Sequence, residues 1–204
     1  MLARLVLALV LALFSSSIAR GSGELAPPFG LEWGGSPQRL ADWSERFELD
    51  LLVKTPGGNP EQSVLMISSS KGALPGHEAT SLEGRFREAR LYEVGVHYTY
   101  PGRGTDFVEA RFVKLKRLLA RKYREFRLSG RQKDVKDGIS TTSEAYHLEP
   151  APGFLIVLAR TVVVDQKRGD KAMRFSVVYR SEHHATPPPV QTAGALPDGP
   201  PVQE

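Results

Sequence analysis

The sequence predicts an α+β fold: an antiparallel sheet with helices on one face. Three observations lead there. Two segments repeat apolar residues at helical spacing. The segments after each are short apolar or alternating runs. Clusters of Gly, Pro, Asn and Asp punctuate them. The order reads α-β-β-β-β and then α-β-β-β, which allows two α-β-β-β units, although no residue-level repeat joins the halves.

The chain opens with a segment that stands apart from the fold. Arg4 is followed by an unbroken apolar run, Leu5 to Phe14, and then by Ser17 and Ala19 at small-residue positions before a cut. This is the pattern of a secretory signal peptide over 1–19. The ten apolar residues are too few for a spanning helix, which needs roughly 20. At the far end, 183–204 reads as a disordered tail, proline-rich from Pro187, with too little apolar surface to offset the entropy of ordering. Between them, 27–182 reads as a single α+β domain. Removing Arg4 with the leader and Asp198 and Glu204 with the tail takes the formal charge from +4 to +5. That modest excess favours anionic partners.

The first helix begins in FGLEWGGSPQRL, Phe29 to Leu40. Gly34 and Gly35 permit a tight turn. Ser36 suits an N-cap and Pro37 a first helical position. Leu40, Trp43 and Phe47 then form one apolar face, and the helix runs to about Phe47. Trp33 reads as a core plug where the chain enters it.

Strands follow at Leu49–Lys54 and Ser63–Ser69, parted by TPGGNP. Leu82–Tyr100 reads as a hairpin turning at Glu88 and Ala89. Its second arm alternates, with Tyr92, Val94, Val96, Tyr98 and Tyr100 on one face and Leu91, Glu93, Gly95, His97 and Thr99 on the other. PGRGTD breaks the sheet. A long helix is predicted from Asp106 to Phe126, with Val108, Phe112, Leu115, Leu119, Tyr123 and Phe126 as its apolar stripe. GRQKDVKDG reads as a polar loop. ISTTSEAYHL, FLIVLARTVVVDQ and MRFSVVYRS are three further strands, with KRGDK as a hairpin turn.

FGLEWGGSPQRL resembles the opening motif F-G-x-x-W-G-x-S/T-x-x-x-L of small bacterial envelope domains. LYEVGVHY and FVKLKRLLARKYREF resemble their next strand and helix, which ends in a lysine-tyrosine pair, here Lys122-Tyr123. These domains are similar to the outer-membrane assembly lipoproteins and the β-lactamase inhibitory protein-like type. The resemblance covers Phe29 to Phe126 and implies a non-enzymatic, protein-binding envelope domain. Arg124 stands where that family commonly has glycine, and no cysteine is present for lipid attachment.

The absence of cysteine excludes thiol nucleophiles, zinc–thiolate sites and iron–sulfur clusters, and leaves an exported chain without disulfides. No cofactor or metal is expected. Ser68-Ser69-Ser70-Lys71 has the S-x-x-K spacing of an acylating serine, but it ends a strand and lacks the S-D-N and K-T-G partners. PGRGTDF precedes a helix yet lacks a P-loop lysine, and Asp106 opposes a bound anion. The histidines, His77, His97, His147, His183 and His184, form neither H-x-H nor H-E-x-x-H.

The candidate binding site is the outer face of the long helix. At about 100° per residue, Lys114, Arg117, Arg121 and Arg124 fall opposite the apolar stripe, flanked by Arg111, Lys116, Lys122 and Arg127. After the cap only Glu109 and Glu125 offset them. Such a face suits an anionic envelope protein or lipid headgroups, while export argues against nucleic acid. The expected function is therefore a periplasmic or secreted binding module without catalytic activity. The competing readings are a structural envelope protein and a hydrolase assembled from scattered residues such as Glu93, His97 and His147.

Overall fold

The computed structural model describes residues 25–185; the leader 1–19 and the tail beyond Ala185 lie outside the described residues. Helix α1 spans Pro37–Arg46 and is followed by strands β1 (Asp50–Lys54), β2 (Gln62–Ser68), β3 (Ser81–Arg87) and β4 (Arg90–Tyr98). Helix α2 spans Thr105–Lys122 and is followed by β5 (Arg127–Lys136), β6 (Ile139–Ala151), β7 (Phe154–Asp165) and β8 (Lys171–Ser181). A short helical turn, α3 (Glu182–Ala185), closes the described chain.

All eight strands join in one antiparallel sheet ordered β1-β2-β3-β4-β8-β7-β6-β5. Every strand pairs with its neighbour in sequence except at one seam, where β4 meets β8. Each helix is thus followed by four strands. The segment GRQKDVKDG is a correction: it forms most of β5 and its turn into β6, not a loop. β5 is an edge strand exposed throughout, so no apolar alternation marks it.

α1 begins as expected, with Ser36 extended at the N-cap position and Pro37 first in the helix, although the Ser36 hydroxyl makes no capping hydrogen bond. Its buried face is Leu40 and Ser44, not the full Leu40–Trp43–Phe47 stripe. Trp43 is half-buried and Phe47 is exposed, because the helix ends over the edge of the sheet beside β1. Leu40 seats against Gly84 of β3, which has no Cβ to obstruct it.

Glu88 and Ala89 turn the β3–β4 hairpin with both residues at positive φ, the twist a two-residue hairpin requires. The predicted faces of β4 need one correction. Leu91 lies opposite Phe86 and Glu93 opposite Arg85, so Tyr92 is an extra, bulged residue. Leu91 therefore joins Val94, Val96 and Tyr98 in the core, and Tyr92 leaves it to sit below the guanidinium groups of Arg87 and Arg180. The cause lies far away in sequence. Leu91 donates its N–H to Gly35 and accepts from the N–H of Gly34, at 2.9 and 2.8 Å. The two glycines of the opening motif thus pair with β4 beyond the end of β8. Trp33 packs beside Phe154 and donates its indole N–H to the Leu25 carbonyl, in keeping with a core plug.

α2 packs its Val108, Phe112 and Leu119 onto the same sheet face as α1. Phe112 meets Phe175 edge-on, and Phe175 stacks on Tyr98 at 4.7 Å. α2 stops four residues before the predicted end. Tyr123 is its C-cap, and Phe126 lies half-buried beyond it, because the chain must turn to enter β5 at Arg127. Residues 183–185 also correct the sequence reading, since they belong to the fold. His183 lies against Phe154, His184 hydrogen-bonds Ser181, and Ala185 is buried with its carbonyl taken by Arg87.

Candidate functional site

The outer face of α2 is where the structure places the expected binding residues. Lys114, Arg117 and Arg121 project from it, all exposed. None of the three forms an ion pair among the described residues. Leu118, 50% exposed, lies one turn from Lys114 and Arg121. Arg124 is exposed too but stands past the helix end, so it does not continue the stripe; this corrects the predicted four-residue row. It lines a separate hollow of about 270 Å³ with Arg127, His147 and Glu149.

Two of the flanking residues, Arg111 and Lys116, are committed elsewhere. Arg111 donates to Glu78 at 2.9 Å. The Lys116 ammonium sits 3.5 Å from the centre of the Tyr146 ring, and burial, followed by the charge of Arg160, lowers its pKa. Glu109 does not offset the basic face. Both its carboxylate oxygens accept from Arg160 at 2.5 Å, on the inner side of the helix.

That contact belongs to a network which the sequence reading missed. Arg131, Glu144, Arg160, Phe175 and Tyr98 stand in one row across β5, β6, β7, β8 and β4. Glu144 has only 5% of its side chain exposed and is held by Arg131, Arg160 and the Tyr146 hydroxyl. Burial alone would raise its pKa, but the hydrogen bonds from Arg160, Tyr146 and Arg131 outweigh burial and hold it below the ordinary value. The signal was present in FLIVLARTVVVD: a lone arginine in an apolar strand needs a buried carboxylate.

Between α2 and the loop at Gly76–Glu78 lies a hollow of about 270 Å³ lined by Tyr98, Tyr100, Leu115, Leu118 and Phe175. Lys114 lines it as well, so the basic face and the apolar hollow share Lys114 and Leu118.

The opposite sheet face bears Glu83, Arg85, Glu93 and His97, and neither long helix covers it. Arg85 bridges Glu83 at 2.6 Å and Glu93 at 3.2 Å. His97 lies 3.9 Å from Glu83, and burial lowers its pKa despite that carboxylate. Burial likewise raises the pKa of Glu93, more than Arg85 and Arg180 lower it. A hollow of about 430 Å³ lies here, lined by Met66, Ser81, Glu83, His97, Thr161 and Arg174 among others. His147 is not part of it. It sits on β6, in register with Val157, Val178 and Gly95, three strands from β4. The Glu93–His97–His147 trio is therefore not brought together, and the Thr80 hydroxyl donates to the His97 backbone carbonyl at 3.2 Å, not to its ring.

The remaining motifs are structural. Lys71 donates its backbone N–H to Ser69 in a turn after β2, so S-x-x-K opens no helix. Gly104 is the N-cap of α2, and Asp106 lies in its first turn. No helix among the described residues is long and apolar enough to cross a membrane. No protein-family model matches the chain, and no curated protein does.

Proposed function

We propose that this chain is an exported, non-enzymatic binding module of the bacterial envelope that presents the outer face of α2 to an anionic lipid surface. One observation carries the reading: Lys114, Arg117 and Arg121 stand exposed and unpaired around an exposed Leu118. Cations that surround an apolar side chain suit phosphate headgroups over acyl chains. The apolar hollow that shares Lys114 and Leu118 supports the same reading. The leader pattern of 1–19 supports export to the periplasm or beyond. A helix with four strands, twice over, supports a fold of two repeated units, as the resemblance to β-lactamase inhibitory protein-like domains implies. The separation of His147 from Glu93 and His97 weighs against the hydrolase reading.

Co-sedimentation with vesicles tests it. The parent is expected to bind phosphatidylglycerol vesicles and not phosphatidylcholine vesicles, and to release them as salt rises. Combined K114E, R117E and R121E substitutions should weaken binding at least tenfold. Arg124→Glu, off the helix, should change it less than about twofold. Equal binding by parent and triple variant would sink the proposal. If vesicles are ignored while an acidic envelope protein is retained by the parent and lost by the variant, the basic face serves a protein instead.

A further inference from the structure

The outer edge of β1 is the least protected part of the sheet. β1 pairs only with β2 among the described residues, and all five of its residues are exposed. Leu51, Leu52 and Val53 are 39%, 51% and 57% exposed. An unpaired edge with apolar side chains is a template for another strand. The opposite edge is defended. β5 carries Arg131, Lys133, Asp134 and Lys136 and has an irregularity between Leu128 and Gly130. β1 has no such charge in its middle. Its two charges stand at its ends, Asp50 and Lys54, and neither forms an ion pair among the described residues.

The order DLLVK is its own complement when run antiparallel. A two-fold axis at Leu52 sets Asp50 opposite the partner's Lys54, Leu51 opposite the partner's Val53, and Leu52 opposite the partner's Leu52. The sheet faces agree as well. Leu51 and Val53 lie opposite Ile67 and Leu65, both buried on the helix side, so they extend the apolar layer there. Asp50, Leu52 and Lys54 share the other face. Parallel pairing in the same register would instead set Asp50 against the partner's Asp50. Pairing with the β5 edge would put Leu51, Leu52 and Val53 against a charged strand.

The geometry points to a symmetric homodimer in which two β1 strands pair antiparallel about Leu52 and join the two sheets into one. A five-residue strand pair buries little area, so the dimer is a weak, reversible one.

Sedimentation equilibrium of the full chain, up to about 1 mM, reads the association constant. Asp50→Lys alone sets lysine against the partner's Lys54 at both ends of the interface, and Lys54→Asp alone sets two carboxylates together. Each should weaken dimerisation about tenfold. An equimolar mixture of the two variants should restore it, because every cross-strand pair is then of opposite charge. Circular dichroism checks that both remain folded. Hydrogen exchange of the β1 amides should slow as concentration rises. The proposal is overturned if the parent stays monomeric, if dimerisation ignores the single reversals, or if mixing fails to restore it. Protection of β1 that does not vary with concentration also overturns it, since the edge would then be covered by the chain itself.

Discussion

Glu144 on β6 and Arg160 on β7 stand directly opposite each other, and two guanidinium nitrogens reach one carboxylate oxygen at 2.7 and 2.8 Å. Arg131 takes the other oxygen, and Arg160 reaches on to Glu109 of α2. The chain of alternating charge ties the edge of the sheet to the helix. Removing Glu144 takes from Arg160 and Arg131 their shared buried acceptor, although Arg160 keeps Glu109 and Arg131 is largely in solvent.

Glu144→Gln should therefore lower stability by about 1–2 kcal/mol at neutral pH, read from urea unfolding. The folded pKa of Glu144 is held below its ordinary value of 4.5. Its stabilisation is thus fully present above that value and is lost as pH falls through the folded pKa. The gap between parent and variant should close as pH drops below 4.5. A constant gap would mean that shape, not charge, sets the cost.

Glu93 should behave with the opposite sign. Burial raises its folded pKa above 4.5, so the folded state holds the proton more tightly than the unfolded chain. Its contribution is favourable at low pH and is lost as pH rises through the folded pKa. Glu93→Gln should melt at or above the parent temperature at pH 7 and match it well below 4.5. A lower melting temperature at pH 7 would show that the ion pairs to Arg85 and Arg180 outweigh burial.

Gly84→Ala tests how α1 docks. A Cβ there would meet Leu40 Cδ2 at 2.7 Å and the Phe86 ring at 3.0 Å. The expected loss is about 2 kcal/mol, as for other overpacked sites. Gly130→Ala on the exposed edge meets nothing within 4 Å and should stay within about 0.5 kcal/mol. Thermal unfolding of both separates crowding from a general cost of alanine.

Ala89→Gly should stabilise the β3–β4 hairpin. Ala89 sits at φ 57, where a Cβ costs about 1 kcal/mol. The melting temperature should rise by about 2–4 °C. No rise would mean that the extra freedom glycine gains in the unfolded chain cancels the relief.

What the sequence disclosed and what it hid follow one physical line. Local periodicity exposed α1, α2 and six strands that each bury a face, and β1, exposed throughout, was legible from its apolar run alone. β5 escaped because both its faces are exposed. Leu91 and Tyr92 were assigned to the wrong faces because the bulge depends on Gly34 and Gly35, which reach β4 only in the folded chain. Lys114, Arg117 and Arg121 were placed correctly by helical angle, whereas Arg124 was lost to a helix end that strand β5 dictates. Arg160 in its apolar strand signals a buried carboxylate, but that the partner is Glu144 is a matter of register between strands.

The seam between β4 and β8 carries a kinetic consequence. Every other strand pair closes through a short connection, so each group of four can zip up from its own turns. Tyr98 must find Phe175 across nearly the whole second half of the chain, and the entropy of that closure is gained back only once both groups exist. The rate of folding is then set at the seam, and a weakened Tyr98–Phe175 stack should slow the search more than any change in the outer hairpins.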